Sequence, residues 1–572
     1  MQTAALKRFM PFLGWRRPAW PEARDDLFAG IAVSLLVIPQ SLAYAELAGV
    51  PAYFGLYAAL IPPVVGVLFG SSAILSTGPV ALTSLLTAAS VGQISAPGSE
   101  AFVANVMLLA LLSGVFQIAL GLARAGILLN LLSHPVLVGF INAAAIVIAM
   151  SQLPALTGIS VGHAGGVLLS TWRLLMNVGS VHWMTLAFGV LALALLIVFR
   201  RFAPRKPGVL AMVVVLTILS QALNFADHGG AIVGAVPAGL PGLSVPAMSW
   251  PTLVTLVPAA FVIALVSFME AMSSCKVIAI KTRTRWDENQ ELIGQGLAKV
   301  AAAFCHSMPV SGSFSRSALN LASHAKTGWS SLYTAAFVLA TLAFFTPLLH
   351  HLPKPALAAM IVLAVFNLVD LEGMRNAWRA QRDDGIAVGL TFASTLAFAP
   401  NIQNGILVGI VFSLGAFIYR RMLPLVAVHQ LGADGVLRDF AMADAGPAAG
   451  GVAAVLRFDA ALFFANASFF EEAVSRLEVE RPGLTTIVIQ ARGINLIDAT
   501  GVEMLRRLTQ DLRDSGIGMI FSSMKQQVFD VVERTGLADE IGRENFFASD
   551  EAALEAAIGR AARMSPPAGA GP

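Results

Sequence analysis

The residues most able to do chemistry lie in two interruptions of an otherwise apolar chain. The first interruption is residues 76–82, STGPVAL, and the second is residues 309–320, PVSGSFSRSALN. Each places Gly, Pro or Ser immediately before a short apolar helix. A helix that begins inside a membrane presents unpaired N–H groups and the positive end of its dipole. Two such helix starts facing each other would hold an anion at the bilayer centre.

Side chains of the second interruption add to this predicted site. Ser313 and Ser315 supply hydroxyl donors, and Arg316 supplies a fixed positive charge. A charged residue in hydrocarbon costs about 2.5–3.5 kcal/mol on insertion scales, so an arginine away from the basic loops indicates a functional position. In the first interruption, Pro79 suits a first helical position, because its missing N–H would be unpaired there. The alternative is that Arg316 lies in a loop or extends to the membrane interface.

Three polar residues of other segments are further candidates. Glu270 lies midway along an apolar stretch, where a carboxylate is expected to face the site and take up a proton, a cation or the charge of Arg316. Gln40 and Tyr44 are four residues apart and share a helix face just after Pro39. That face suits the wall of a substrate cavity. The alternatives are a structural ion pair for Glu270 and an ordinary contact between helices for Gln40 and Tyr44.

The composition shows that a membrane must surround these residues. The chain has 572 residues, of which 56% are hydrophobic and only 12% are charged, and its mean hydropathy is +0.74. The charged fraction is about half that of an average soluble domain, which excludes a soluble enzyme, a disordered chain and a nucleic-acid binder. Residues 27–421 divide into roughly 14 apolar segments, of which the longer ones reach the length of about 20 residues that a spanning helix needs.

The charges also predict the orientation. Residues 1–26 form a basic lead-in, and further basic groups occur at 200–206, 281–285, 375–382 and 420–421. The connections at 92–101, 225–250 and 400–402 contain no Lys or Arg. Because cytoplasmic loops hold the excess of Lys and Arg, both termini are predicted to be cytoplasmic in a multi-pass protein of the plasma (inner) membrane.

The end of the chain has a different pattern. Residues 422–451 are predicted to be a linker, residues 452–560 a soluble domain, and residues 561–572 a disordered tail. Within the soluble domain, buried strands alternate with amphipathic helices, which is typical of an α/β fold.

Four stretches together resemble the sulfate permease family. They are residues 39–45 (PQSLAYA), 51–57 (PAYFGLY), 78–82 (GPVAL) and 313–320 (SFSRSALN), and the resemblance extends over essentially the whole chain. It implies an α-helical polytopic membrane domain built as an inverted repeat of seven plus seven segments. Segments 1–4 and 8–11 would form a mobile core, and the other segments would form a gate.

The same resemblance implies an anion between the N-termini of the third and tenth segments. Glu270, in the eighth segment, would couple transport to protons or sodium. The implied anion site comprises Gln40, Tyr44, Gly78, Pro79, Val80, Ser313, Phe314, Ser315 and Arg316.

The soluble domain resembles a STAS domain, through residues 456–459 (LRFD), 462–467 (LFFANA) and 498–501 (DATG). In soluble relatives of this fold, a hydroxyl residue at the position of Thr500 is phosphorylated. The resemblance therefore makes Asp498 and Thr500 candidates for a regulatory site. The alternative is that both residues cap a helix N-terminus.

The main hypothesis is a secondary active transporter of small anions, of the sulfate type with proton symport, that works by alternating access. The alternatives are transport of C4-dicarboxylates or bicarbonate, chloride exchange, a channel-like pathway, and a membrane-anchored sensor. An enzyme is disfavoured, because the sequence offers no nucleophile–base pair and no phosphate-binding Gly loop. No cofactor, metal or nucleic acid is expected.

The expected partners are a small inorganic or carboxylate anion, a coupling proton or sodium ion, the lipid bilayer, a second copy in a homodimer, and a cytoplasmic protein bound through the STAS domain.

Overall fold

The computed structural model of the chain describes residues 10–126, 133–159, 166–203, 207–366, 368–424, 426–431, 437–440 and 453–564. The chain divides into two compact units between Ser413 and Leu414. The first unit contains the membrane segments apart from the end of the last membrane helix, and the second contains that helix end and the α/β domain.

The first half of the membrane unit consists of helices α1 to α9 and one short strand. Strand β1 is Thr77–Gly78 and immediately precedes α4. In chain order the helices α1 to α9 are Trp20–Ala48, Tyr53–Ala58, Ile61–Phe69, Ala81–Val91, Glu100–Leu122, His134–Thr157, Gly166–Met176, Trp183–Phe202 and Gly208–Ala222.

The second half repeats this pattern with helices α10 to α18. Strand β2 is Ser311–Gly312 and immediately precedes α12, as β1 precedes α4. A π-helical turn, Thr341–Phe345, joins α13 to α14. In chain order the helices α10 to α18 are Trp250–Thr282, Glu288–Phe304, Phe314–Ala322, Trp329–Ala340, Thr346–Leu349, Lys354–Phe366, Leu371–Ala380, Arg382–Phe398 and Ile402–Met422.

The helices confirm a polytopic membrane protein. Within the described residues, eight helices or helix runs are long and apolar enough to cross a membrane: α1, α5, α6, α8, α10, α13–α14, α15–α16 and α18. The shorter segments α2–α3, α4, α9, α11, α12 and α17 bring the total to the fourteen that the sequence predicts. The two short half-helices α4 and α12 stand third in their respective halves.

The first spanning helix begins earlier than predicted. Residues 1–26 are predicted to be a lead-in, but α1 starts at Trp20 because Pro21 occupies its first turn and Glu22 accepts a hydrogen bond from the Ala19 N–H at 3.0 Å. Asp26 is consequently helical and fully buried. It accepts hydrogen bonds from the Lys326 N–H at 2.7 Å and the Thr327 N–H at 3.1 Å, which ties α1 to the start of α13.

Packing divides the membrane helices into two groups. In the core group, α1 packs against α12 and α13, α5 packs against α10 and α11, and α11 also packs against α3. In the gate group, α6 packs against α15 and α17, and α8 packs against α9 and α15. The groups meet where α1 contacts α9 and α15 and where α4 contacts α6. The core group comprises α1–α5 and α10–α14, and the gate group comprises α6, α8, α9 and α15–α18.

The second unit is a six-stranded sheet with helices on both faces. The strand order is β4-β3-β5-β6-β7-β8, with β5 to β8 parallel and β3 antiparallel to both of its neighbours. Strands β3 to β8 are Val426–Leu431, Leu437–Phe440, Ala453–Phe458, Thr486–Gln490, Gly518–Ser522 and Phe546–Phe547. Helices α19 to α23 are Ala467–Glu480, Ala499–Asp514, Gln526–Arg534, Leu537–Ile541 and Asp550–Met564.

Two predicted boundaries of this unit are wrong. The expected linker, residues 422–451, contains β3 and β4, and Val428 of β3 pairs with Leu456 of β5 and is buried in the domain core. The short apolar run at Val426–Val428 is obscured in sequence by the Gly-, Ala- and Asp-rich residues that follow it. The expected disordered tail begins too early, since α23 extends to Met564. Residues 565–572 lie outside the described residues.

Candidate anion-binding site

Strands β1 and β2 bring the two half-helices together. They pair antiparallel, with Thr77 opposite Gly312 and Gly78 opposite Ser311. The Ser313 N–H donates to the Ser76 carbonyl at 2.8 Å, which continues the pairing to the start of α12. The first N–H groups of a helix have no partner within the helix. Two sets of unpaired donors therefore begin side by side at this strand pair, as the two sequence interruptions predict.

A cavity of about 550 Å³ lies in front of these helix starts. Seven of the predicted site residues line it: Gln40, Tyr44, Val80, Glu270, Ser313, Phe314 and Ser315. The opposite wall comes from gate helices and includes Leu137, Ile141, Leu196, Val209, Met360 and Leu363. The cavity therefore lies between the core and gate groups, with the helix starts on the core side.

Arg316 lies behind the cavity wall, with no exposed surface. Its Nη1 donates to the Pro79 carbonyl at 2.8 Å, and its Nε donates to Ser76 Oγ at 3.4 Å. Its Nη2 is buried without a hydrogen-bond partner. Arg316 thus joins the start of α12 to the start of α4 and places a positive charge behind both.

Gly78 and Pro79 also lie behind the wall rather than on it. The backbone of Gly78 has a φ of +154°, and a Cβ added there would lie 3.1 Å from Arg316 Nη2. A side chain at position 78 would therefore press on the guanidinium group. Gly78 leaves room for the arginine, and Pro79 supplies the carbonyl that holds it.

Glu270 faces the cavity from the middle of α10. Its Oε2 is buried without a hydrogen-bond partner, so the carboxyl group is not paired with Arg316. Arg316 and Lys299 act on the carboxyl group through their electrostatic fields, and the Ser311 side chain interacts with it directly. Oε1 of Gln40, which lines the same cavity, is likewise buried without a partner. Unpaired buried polar atoms are costly, so these positions fit groups that exchange a proton or contact a ligand.

A buried lysine near the site is not predicted from the sequence. Lys299 of α11 is fully buried, and its Nζ donates to Gln117 Oε1 at 2.9 Å. Gln117 Nε2 in turn donates to the Ala264 carbonyl at 2.8 Å and to Ser267 Oγ at 3.0 Å, one turn before Glu270. The membrane interior therefore holds more charges than Arg316 and Glu270. The only signal for Lys299 in the sequence is one lysine within the apolar run of residues 296–304.

Glu291 is a second buried charge that the sequence does not reveal. It accepts hydrogen bonds from the Ser71 N–H at 2.8 Å and the Ser72 N–H at 2.9 Å. Gln295 bridges its carboxylate to Thr77 Oγ1, at 3.0 Å and 2.8 Å. Glu291 thus fixes the segment that leads into β1. In sequence it reads as an ordinary acidic residue in the first turn of a helix, where the dipole favours it.

The regulatory candidates of the second unit occupy the start of α20. Asp498 is the N-cap residue, and its Oδ1 accepts from the Gly501 N–H at 2.8 Å. Its Oδ2 accepts from the Phe464 N–H at 2.9 Å. The capping role that the sequence analysis gives as an alternative is therefore present for Asp498. Thr500 follows in the first turn with an exposed side chain, and its phosphorylation stays a prediction.

The fold and the site define a class: a polytopic membrane protein with two facing half-helices and a carboxy-terminal α/β domain. Residues 24–391 match the sulfate permease family, and residues 447–553 match the STAS domain. The chain belongs to the sulfate permease family. It is a multi-pass membrane transporter of anions and not an enzyme.

Individual relatives agree with this assignment. The chain is 33% identical to the chloroplastic sulfate transporter 4.1 of Arabidopsis thaliana, over 95% of this chain and 83% of that protein. It is 33% identical to a probable sulfate transporter of Mycobacterium tuberculosis, over 93% of this chain and 95% of that protein.

Two solved structures show the same fold. The inward-facing state of the murine anion transporter Slc26a9 superposes with a TM-score of 0.89 at 21% identity, covering 97% of this chain and 95% of that one. The transmembrane domain of the cyanobacterial bicarbonate transporter BicA superposes with a TM-score of 0.59 at 23% identity, covering 70% of this chain and 99% of that one.

Proposed function

We propose that this protein is a secondary active transporter that carries small divalent oxyanions of the sulfate type together with protons. The observation that carries the proposal is the convergence of two half-helix starts and the Arg316 charge on a cavity that also contains Glu270. The names of the relatives, sulfate transporters of a plant and a mycobacterium, agree with the sulfate-type substrate.

The charge of the site favours a divalent anion. Each helix N-terminus acts as about half a positive charge, and Arg316 adds one full charge behind both helices. The two helix starts and Arg316 together therefore present about two positive charges to the cavity. The guanidinium acts through its field rather than by contact, and that field is screened less than at a surface because Arg316 is fully buried in protein.

Glu270 provides a reason for proton coupling. An ionised carboxylate on the same cavity would cancel about one of the positive charges, and its protonation would restore that charge. Binding of a proton and binding of a divalent anion therefore strengthen each other, and the effect is reciprocal by linkage. This is the relation that a proton symporter needs.

The position of the cavity supports alternating access with the structure open to the cytoplasm. The cavity extends to exposed His134 and Asp370, where α6 begins and α15 ends. Arg200 and Arg201 lie in the last turn of α8, and residues 375–382 follow α15, in α16 and at the start of α17. Because basic residues are enriched on the cytoplasmic side, we assign this end of the membrane unit to the cytoplasm, together with both termini.

A monovalent oxyanion such as bicarbonate is the second candidate. If Glu270 remains ionised, the core side of the cavity presents only about one net positive charge. That charge matches a monovalent anion without proton uptake.

Uptake by purified protein in proteoliposomes distinguishes the two candidates. Radiolabelled sulfate should accumulate when the compartment outside is more acidic, and uptake should fall by up to about tenfold per pH unit on the alkaline side, as expected for one linked proton. The Glu270→Gln variant should lose this dependence. The exposed acid Glu372, changed to Gln, is the matched control and should keep it. Bicarbonate uptake with no response to a proton gradient would instead support the second candidate.

A further inference from the structure

An ion pair joins the core and gate groups at the end of the membrane unit opposite the cavity mouth. Glu46 lies in the last turn of α1, and Lys354 is the first residue of α15. Lys354 Nζ lies 3.0 Å from Glu46 Oε1 and 3.1 Å from Glu46 Oε2, so it contacts both oxygens of the carboxylate. We infer that this pair is a latch that closes one side of the transporter while the other side is open.

The two helices of the pair also form the cavity. Gln40 and Tyr44 of α1 line its core side, and Met360 and Leu363 of α15 line its gate side. These positions lie further from the ion pair and nearer the mouth. The same two helices are therefore separated by the cavity at one end and held together by Glu46 and Lys354 at the other.

Apolar packing fills the space beside the ion pair. Ala45 and Ala48 of α1 have no exposed surface, and neither has Ala356 of α15. The Glu46 and Lys354 side chains are 26% and 37% exposed, so the pair sits on the rim of this packed region and is reachable from water. The end of the unit that holds the pair is therefore closed, and we call it the closed end.

Backbone hydrogen bonds within the gate hold the residue that carries the lysine. The Lys354 N–H donates to the Ala231 carbonyl at 2.9 Å, and the Val233 N–H donates to the Leu352 carbonyl at 2.9 Å. Residues 231–233 follow gate helix α9. The lysine is thus fixed on the gate, whereas Glu46 belongs to a core helix. Any movement that opens the closed end between α1 and α15 must separate the two charges.

The ion pair is expected to be weak enough for the transporter to change between its two states. Partly exposed ion pairs change an equilibrium about two- to fivefold. Such a pair biases the population toward the state described here without trapping it. This inference rests on the proposed alternation between two states, but it requires no particular substrate.

Thiol labelling tests the latch. A Leu47→Cys reporter, buried on α1 beside Glu46, is introduced after both native cysteines, Cys275 and Cys305, are changed to alanine. Membrane-impermeant maleimide is then added to each side of oriented vesicles in turn. Glu46→Gln should raise the labelling rate from the closed end about two- to fivefold, and Lys354→Gln should do the same.

The reversed pair, Glu46→Lys with Lys354→Glu, should return the labelling rate to that of the reporter alone. The control is Glu22→Gln, which removes an ion pair to Arg16 that does not join the two groups and should leave the rate unchanged. Equal rates in all variants, or a rise that the reversed pair does not correct, would overturn the latch.

Cross-linking supplies a second measurement. Cysteines at positions 46 and 354, joined by a short bifunctional thiol reagent, should stop anion uptake until the link is cleaved. Continued uptake with the link formed would contradict the latch. Labelling also separates this inference from the proposed function: altered labelling without sulfate uptake would refute the substrate alone, and sulfate uptake with unaltered labelling would refute the latch alone.

Discussion

The two half-helices have the same backbone plan and different side chains. The first, β1 with α4, begins Thr77-Gly78-Pro79-Val80 and offers backbone groups and apolar surface to the cavity. The second, β2 with α12, begins Ser311-Gly312-Ser313-Phe314-Ser315-Arg316 and carries hydroxyl groups and a full charge. Both enter the helix from an extended N-cap residue, Val80 in one and Ser313 in the other.

The difference indicates that the two half-helices contribute different groups to the proposed site. The first half-helix supplies unpaired N–H groups and the Pro79 carbonyl that positions the arginine, whereas the second supplies the arginine itself. In the proposed site, anion binding would therefore depend on the backbone of one half and on the side chains of the other. Substitutions at equivalent positions of the two halves should have unequal effects.

Removing the charge should have the largest effect. Arg316→Ala leaves the Pro79 carbonyl and Ser76 hydroxyl without their donor and removes the positive charge behind both helices. Loss of one member of a buried charged interaction costs about 2–5 kcal/mol, so we expect anion uptake in proteoliposomes to fall at least about 30-fold.

Arg316→Lys is the companion variant, because it keeps the charge but cannot bind both Pro79 and Ser76 in the same geometry. It should recover part of the uptake. Full uptake by folded Arg316→Ala protein would show that the charge present on only one of the two half-helices is not needed for transport.

Gly78→Ala should act on the same arginine from the other half. Alanine at a φ of +154° is strained by about 1–3 kcal/mol, and its Cβ would press on Arg316 Nη2 at 3.1 Å. We expect a lower melting temperature and weaker stabilisation by sulfate in a thermal-shift measurement.

The matched control is Gly312→Ala in β2, where the added Cβ would meet Ala271 Cβ at 2.9 Å and not the arginine. It should lower the melting temperature and leave the sulfate-dependent shift intact. Equal losses of the shift in both variants would mean that strand packing, not the position of Arg316, controls affinity.

Single hydroxyl groups should have the smallest effect. Ser315→Ala removes one donor from the cavity wall, and a neutral hydrogen bond contributes about 0.5–1.5 kcal/mol, so the sulfate affinity should fall about two- to tenfold. Val80→Ala, on the wall of the first half-helix, removes no donor and should change affinity less than Ser315→Ala does. Titration calorimetry measures the sulfate affinity of both variants. A larger loss of affinity for Val80→Ala would contradict the proposal that the second half-helix supplies the side-chain contacts.

The presence of two half-helix starts and a buried arginine is predictable from sequence, because the residues that indicate them are close together in the chain. Gly and Pro before an apolar run mark a helix start, and an arginine in a membrane segment has few structural explanations. The ten predicted site residues follow from these features together with the family resemblance, and seven of them line the cavity. That Arg316 lies behind the wall is not predictable, because it depends on the pairing of β1 with β2, which are more than 200 residues apart.

The residues missed by sequence reasoning share a different property. Lys299 and Glu291 are satisfied by partners on other segments, Gln117 for the lysine and residues 71–72 for the glutamate. Their burial follows from tertiary packing and leaves no local pattern. The apolar run of β3 is likewise too short to indicate a strand by itself, and its strand structure follows from its pairing with β4 and β5.

The pairing of Thr77 with Gly312 and of Gly78 with Ser311 has a consequence for leakage. Backbone hydrogen bonds and the Arg316 bridge connect the two halves of the candidate anion site, so the halves cannot part to let ions pass between them without breaking several contacts at once. Because the cavity lies between the core and gate groups, an anion is expected to leave it by movement of the core against the gate, and not by separation of α4 from α12. We therefore expect each anion moved to require one complete reorientation, with a turnover limited by that motion and no sustained ionic current.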